Sequence, residues 1–254
     1  MAGAWVNTPE QIKLFLTQQT RREEVEKSAL SSPFRDIRNI TENHAYIEYG
    51  WHPEITLTGN IVISDHQMGK NNQRTQWLEV GVRHKADWAK TNIIPLKFDF
   101  RHQHKNISKA ASIKLGLVRD EGYDTRTGLN IALSQGEKIQ ISRFNYLELL
   151  LEINKELILW SSEDGFYRAH NKIILSKKGV SLNYHRLDSF GFGENSQSEH
   201  IDYFEFEFPA ALLFGETLPK TTFVKIGRGE NTRKGTQTSS GNSVYLQLKF
   251  DLIP

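Results

Sequence analysis

Asp65 and Glu79 are the two residues whose types and spacing come nearest to a metal-dependent reaction. A restriction-type nuclease core needs an Asp and an acid-x-Lys on adjacent strands, because two carboxylates hold a divalent cation through oxygen. Glu79 lies in Trp77-Leu78-Glu79-Val80, and Gly81 occupies the place where the lysine would stand. The pair therefore defines an alternative reading, a metal-dependent endonuclease, and requires the two carboxylates to converge. His102 and His104 lie two apart, so on a strand they share a face, with His84 or Asp99 as a third ligand of an imidazole–carboxylate site. No helix-borne or knuckle ligand set adjoins them, and no bound metal or other cofactor is expected. Ile226-Gly227-Arg228-Gly229-Glu230 contains G-x-G without a third glycine or a following helix, and so does not make a phosphate loop. Nucleophile-elbow, zincin and kinase signatures are absent. With no cysteine in the chain, disulfides, thiolate metal sites and cysteine nucleophiles are excluded together.

The basic residues form a more extended pattern. Lys97 and Arg101 share the outer face of one expected strand, and Lys109 and Lys114 lie on or beside the next. Lys177, Lys178, Tyr184 and Arg186 flank an expected hairpin, and Arg228, Arg233 and Lys234 fall in a polar, glycine-rich stretch. Cations along strands track phosphates, and an exposed ring such as Tyr184 offers a stacking surface to an unpaired base. The net charge is only +2, but the charge is segregated. Arg83 to Arg119 holds nine Lys and Arg against two acids, whereas Glu194 to Glu216 holds six acids and no Lys or Arg. Such segregation builds a basic and an acidic face unless neighbouring strands cancel it. The expected function is non-catalytic nucleic-acid binding, with single strands favoured.

Ser176-Lys177-Lys178-Gly179-Val180-Ser181-Leu182 resembles the lysine-glycine β-turn of the positive-cofactor and Whirly class of single-strand binders. The resemblance implies a curved antiparallel sheet followed by a helix, with turn lysines on the nucleic acid. It covers about a third of the chain, and the lysine turn here follows the expected helix, where in that class it precedes it.

These residues must be positioned by regular elements. Thr8-Pro9-Glu10-Gln11 supplies an N-cap, a first-turn proline and a capping-box glutamine, which predicts an N-terminal helix with Ile12, Phe15 and Leu16 on its apolar face. Period-2 alternation then predicts strands at His44–Tyr49, Ile55–Ile63, Trp77–His84, Leu96–His102 and Ile113–Leu117. Leu129–Leu133 and Lys138–Ile141 follow. Phe144 to Trp160, apolar on more than one face, reads as a buried central helix. Further strands are expected at Lys172–Leu175, Val180–Tyr184, Phe204–Phe208, Thr222–Ile226 and Val244–Leu252, with Gln67–Gln76 and Gly227–Asn242 as loops. The predicted class is α+β, predominantly antiparallel sheet. Residues 1–160 would form a lobe closed by the buried helix and 161–254 a second β-rich lobe, unless the two are continuous.

The 254 residues are ample for a hydrophobic core, and 14 Phe, 8 Tyr and 5 Trp exclude a disordered chain. No apolar run approaches the roughly 18 residues of a membrane helix, and Met1–Thr8 lacks a basic region followed by an apolar core. These features predict a cytoplasmic protein without a membrane partner. It could form a homo-oligomer, or serve as a structural or assembly subunit of a viral or defence complex.

Overall fold

In the computed structural model, residues 4–25, 36–68, 71–87, 106–122, 125–141, 147–161, 164–192, 197–215, 222–234 and 239–252 are described. They hold twelve strands: β1 (Ile12–Val25), β2 (Asp36–His52), β3 (Ile55–Met68), β4 (Asn71–Lys85), β5 (Asn106–Glu121) and β6 (Thr125–Ile141), then β7 (Leu147–Trp160), β8 (Gly165–Lys177), β9 (Val180–Phe192), β10 (Ser198–Pro209), β11 (Thr222–Lys234) and β12 (Ser239–Leu252). A four-residue helix, α1 (Ala211–Phe214), lies between β10 and β11. Each strand pairs antiparallel with its sequence neighbours, and β1 also pairs with β12, from Ile12↔Leu252 to Val25↔Ser239. The sheet is a closed barrel and has no free edge.

Strand partners are staggered. From Lys13 at the start of β1 they run through Glu48, Thr58, Gly81, Gly116, Asn130, Ile158 and Phe166 to Gly191, near the far end of β9. This shear tilts the strands by about 35–45° to the barrel axis, as closure requires. The end where β1 begins and β12 finishes is called the first end below. There β8 and β9 join through Lys178 and Gly179, with φ of 51° and 81°, a two-residue turn matched to strand twist.

The α+β expectation is thus corrected to an all-antiparallel barrel. Thr8 to Gln11 does form a turn, with Gln11 N donating to Thr8 O, but Glu10 has a φ of 66° and the chain leaves it as β1. The expected central helix is β7 over its described residues, paired with β6 from Leu147 to Trp160 and with β8 from Glu148 to Leu159. Its polar residues Glu148, Glu152, Asn154 and Glu156 are spaced by twos and fours, a strand pattern that leucines on both faces obscured. The supposed loops at 67–76 and 227–242 are mostly strand. The boundary near residue 160 falls between β7 and β8, and pairing is continuous across it. The expected strand at Leu96–His102 lies outside the described residues.

Candidate functional site

Alternation gives the barrel two unlike surfaces. Outward positions carry Ile61, Leu78, Val80, Val82, Leu115, Leu117, Leu129, Leu133, Ile173, Leu182, Phe206, Ile226 and Leu246, all exposed. Tyr49 and Trp51 stand exposed toward the first end, and Phe190 and Phe192 toward the other. Inward positions carry most of the buried polar residues, among them Glu23, Glu48, Arg83, Lys114, Asn130, His185 and Glu205. A water-soluble protein has the opposite polarity; this inverted arrangement belongs to barrels surrounded by hydrocarbon.

The lumen is the candidate site, and its charges are paired across strands. Arg83, 1% exposed, donates to Glu48 Oε1 and to the Tyr46 hydroxyl, each at 2.8 Å. The Lys114 ammonium and the Asn130 amide both donate to Glu79, and Asn130 also donates to Glu156 at 2.6 Å. Arg21 spans Glu42 and Glu199, both at 3.2 Å, and Arg233 shares Glu199 at 3.0 Å. Lys225 lies 3.1 Å from Glu205 and 3.4 Å from Glu207, while His185 meets Glu205 at 2.8 Å and His170 at 3.1 Å.

Two apolar clusters interrupt this polar lining. One joins Val118, Ile158 and Trp160 to Trp77 and Phe166, with the Trp77 and Trp160 rings edge to face at 5.5 Å and the Arg126 guanidinium 4.3 Å above Trp160. The other holds Ile201, Tyr203 and Tyr245, packed by Leu187. It explains the G-x-G motif. A Cβ on Gly227 would come within 2.3 Å of the Tyr245 ring, and one on Gly229 within 2.5 Å of Tyr203. The glycines give the rings room.

At the first end the segment Ala4–Asn7 enters the lumen. Ala4 N donates to Glu152 at 3.2 Å, Arg83 Nη1 donates to the Trp5 carbonyl at 3.0 Å, and Asn7 N donates to Thr56 Oγ1 at 2.8 Å. The Trp5 ring lies over Gly136, where a Cβ would come within 2.2 Å of it. Nothing in the sequence pattern marked this segment.

The residues singled out from sequence are scattered. Asp65 faces outward, 3.6 Å from Arg74, while Glu79 faces the lumen. The two carboxylates lie on opposite sides of the wall and cannot share a metal, so the nuclease alternative fails. Lys114 and Arg233 face the lumen in ion pairs. Tyr184, Arg186 and Arg228 face outward: Tyr184 donates to Asp202 at 2.6 Å, Arg186 to Asp188 at 3.2 Å, and Arg228 lies 3.7 Å from Glu230. His200 bridges Asp188 and Asp202 at 2.7 and 2.8 Å, so the outer wall carries a paired polar patch on β9 and β10. Lys155 is a further outward cation, on β7. Lys109 is half-buried on β5. Lys177 and Lys178 lie at the first end, and Lys234 at the opposite end of its strand. Lys97, Arg101, Asp99, His102 and His104 lie outside the described residues. No single basic surface gathers the described residues of the set. Among the described residues no group of three or more His, Asp or Glu could hold a metal ion.

No protein-family model matches the chain, and no curated protein matches it. Solved structures do. An outer membrane channel from Pseudomonas putida F1 superposes with a TM-score of 0.61 at 8% identity, covering 99% of each chain. The translocator domain of the autotransporter NalP from Neisseria meningitidis gives 0.50 at 6% identity, over 97% of this chain and 90% of that one. At such identities the likeness is one of fold: a closed barrel of the kind found in outer-membrane proteins. It overturns the Whirly resemblance, which implied a curved antiparallel sheet followed by a helix, and with it the expected nucleic-acid partner. A wall that exposes leucine and isoleucine all round likewise replaces the cytoplasmic, membrane-free expectation. Among the described residues no helix is long and apolar enough to cross a membrane, but a barrel crosses with strands.

Proposed function

We propose that the protein is an outer-membrane channel that passes ions and small polar solutes through a narrow, charge-balanced lumen. The observation that carries this reading is the inverted polarity of the wall, apolar outward and densely charged inward. Closure satisfies every strand edge, the condition for backbone in hydrocarbon. Several inward polar atoms, among them Tyr245 Oη, Asn183 Oδ1 and Ser243 Oγ, have no protein partner. Buried polar groups of this kind are satisfied by water. The fold likeness to an outer membrane channel agrees with the reading.

The lining also sets the properties of the pore. Its cations and anions are paired, and many inward side chains are buried against one another. A path between paired charges has little net field, so anions and cations pass comparably, and crowding keeps conductance below that of a wide water-filled porin. The test is reconstitution into planar bilayers. Small discrete steps with a reversal potential near zero in a KCl gradient are expected. Folded protein that inserts into the bilayer and gives no steps would overturn the reading.

A further inference from the structure

The outer wall is exposed along most of its apolar face but covered in places near the first end, one of them on β10 and β11. Phe208 and Val224 point outward, in register with the exposed Phe206 and Ile226, yet they are only 8% and 2% exposed. Ala210 lies in a cluster with both and is itself fully buried, while Val180 and Leu248 pack against the cluster. Ala210 N donates to Thr222 O at 2.9 Å, extending the β10–β11 ladder by one pair beyond Pro209↔Phe223. The next turn is α1, closed by Leu213 N and Phe214 N donating to Ala210 O, both at 3.0 Å. Leu212, Leu213 and Phe214 follow at 69%, 60% and 52% exposure. These consecutive large apolar groups follow directly on a strand pair that exposes Phe206 and Ile226 on its outer face, and extend that apolar surface past the end of the strands.

We infer that α1 is a membrane anchor: Leu212 and Leu213 insert among the acyl chains next to the headgroups and fix the depth of the barrel's first end. The occupant is lipid, because the exposed turn is continuous with the apolar belt and adjoins the end marked by Tyr49 and Trp51, rings suited to the membrane–water boundary. This inference rests on the membrane-barrel reading above and adds a contact that the strands do not make.

The chain has no cysteine, so single cysteines can report position without background. Leu213→Cys and Leu212→Cys would be labelled separately with an environment-sensitive fluorophore in protein reconstituted into phosphatidylcholine vesicles. Leu115→Cys on the belt and Lys178→Cys in the first-end turn serve as references. The labels at 212 and 213 should show blue-shifted emission and be quenched by lipid brominated near the headgroup end of its acyl chains. Aqueous iodide should leave them unaffected and quench the label at 178. If iodide quenches 212 and 213 while brominated lipid quenches only 115, the anchor is wrong and the barrel still spans the membrane. If brominated lipid quenches none of the labels, the membrane reading fails and takes the anchor with it.

Discussion

Glu79 and Asp65 show how much a side chain's worth depends on which surface of the wall it occupies. Glu79 is buried with Lys114 and Asn130, and removing it leaves a buried ammonium without its counter-charge. Glu79→Ala should cost about 3–5 kcal/mol, the usual penalty for breaking a buried pair from one side. Asp65 is exposed beside an exposed Arg74, and Asp65→Ala should stay within about 0.5 kcal/mol. Urea unfolding of the barrel in lipid vesicles measures both. Equal effects at the two positions would contradict the assigned sidedness. Arg83 belongs with Glu79, since its guanidinium holds Glu48, Tyr46 and the Trp5 carbonyl together.

For a strand, the test of orientation is the cost of charge on its apolar side. Leu115 and Leu117 alternate on β5 with Lys114, Gly116 and Val118, so one register slip would move the ammonium into lipid. Leu115→Lys should destabilise the barrel by about 2–4 kcal/mol in a bilayer, the range for a cation near the midplane. Leu115→Ala should cost less, and the difference should shrink when the barrel is unfolded from thin bilayers, where the site nears the interface. A lysine tolerated as well as alanine would mean that Leu115 does not face acyl chains. The same alternation accounts for β7, where Leu151 points outward and Leu150 inward.

The whole molecule adds a further constraint on the pore. The Ala4–Asn7 segment crosses from β3, through Thr56, to β6 and β7, through Gly136 and Glu152, and so obstructs the lumen at the first end. Gly136→Leu places a side chain where the Trp5 ring lies, and should displace the segment and raise single-channel conductance. Asn7→Cys with Thr56→Cys should do the reverse when oxidised, because a disulfide would tie the segment to β3, and reduction should restore the original steps. Conductance unchanged by both variants would place the segment outside the conducting path.

Much of the strand content was legible from residues alone. Alternation at Trp77–His84, Ile113–Leu117 and Val244–Leu252 marks strands that exist, and Lys177-Lys178-Gly179 marks a hairpin turn that the structure narrows to Lys178-Gly179. β7 does not show a simple strand pattern because Leu150, Ile158 and Trp160 point into the lumen, where Ile158 and Trp160 pack on other strands, so its inner face is not purely polar. Alternation also says only that a strand has two unlike faces; it does not say which one meets water. In an open sheet the charged face meets solvent, and that geometry would put Lys114 and Arg233 on an outer surface. Closure of β1 on β12 reverses that assignment. Once the sheet has no edge, one face must enclose the lumen, and there a charge can find its partner on a strand distant in sequence, as Arg21 does with Glu199. Such pairings leave no trace in local spacing, because they depend on the barrel's circumference and shear.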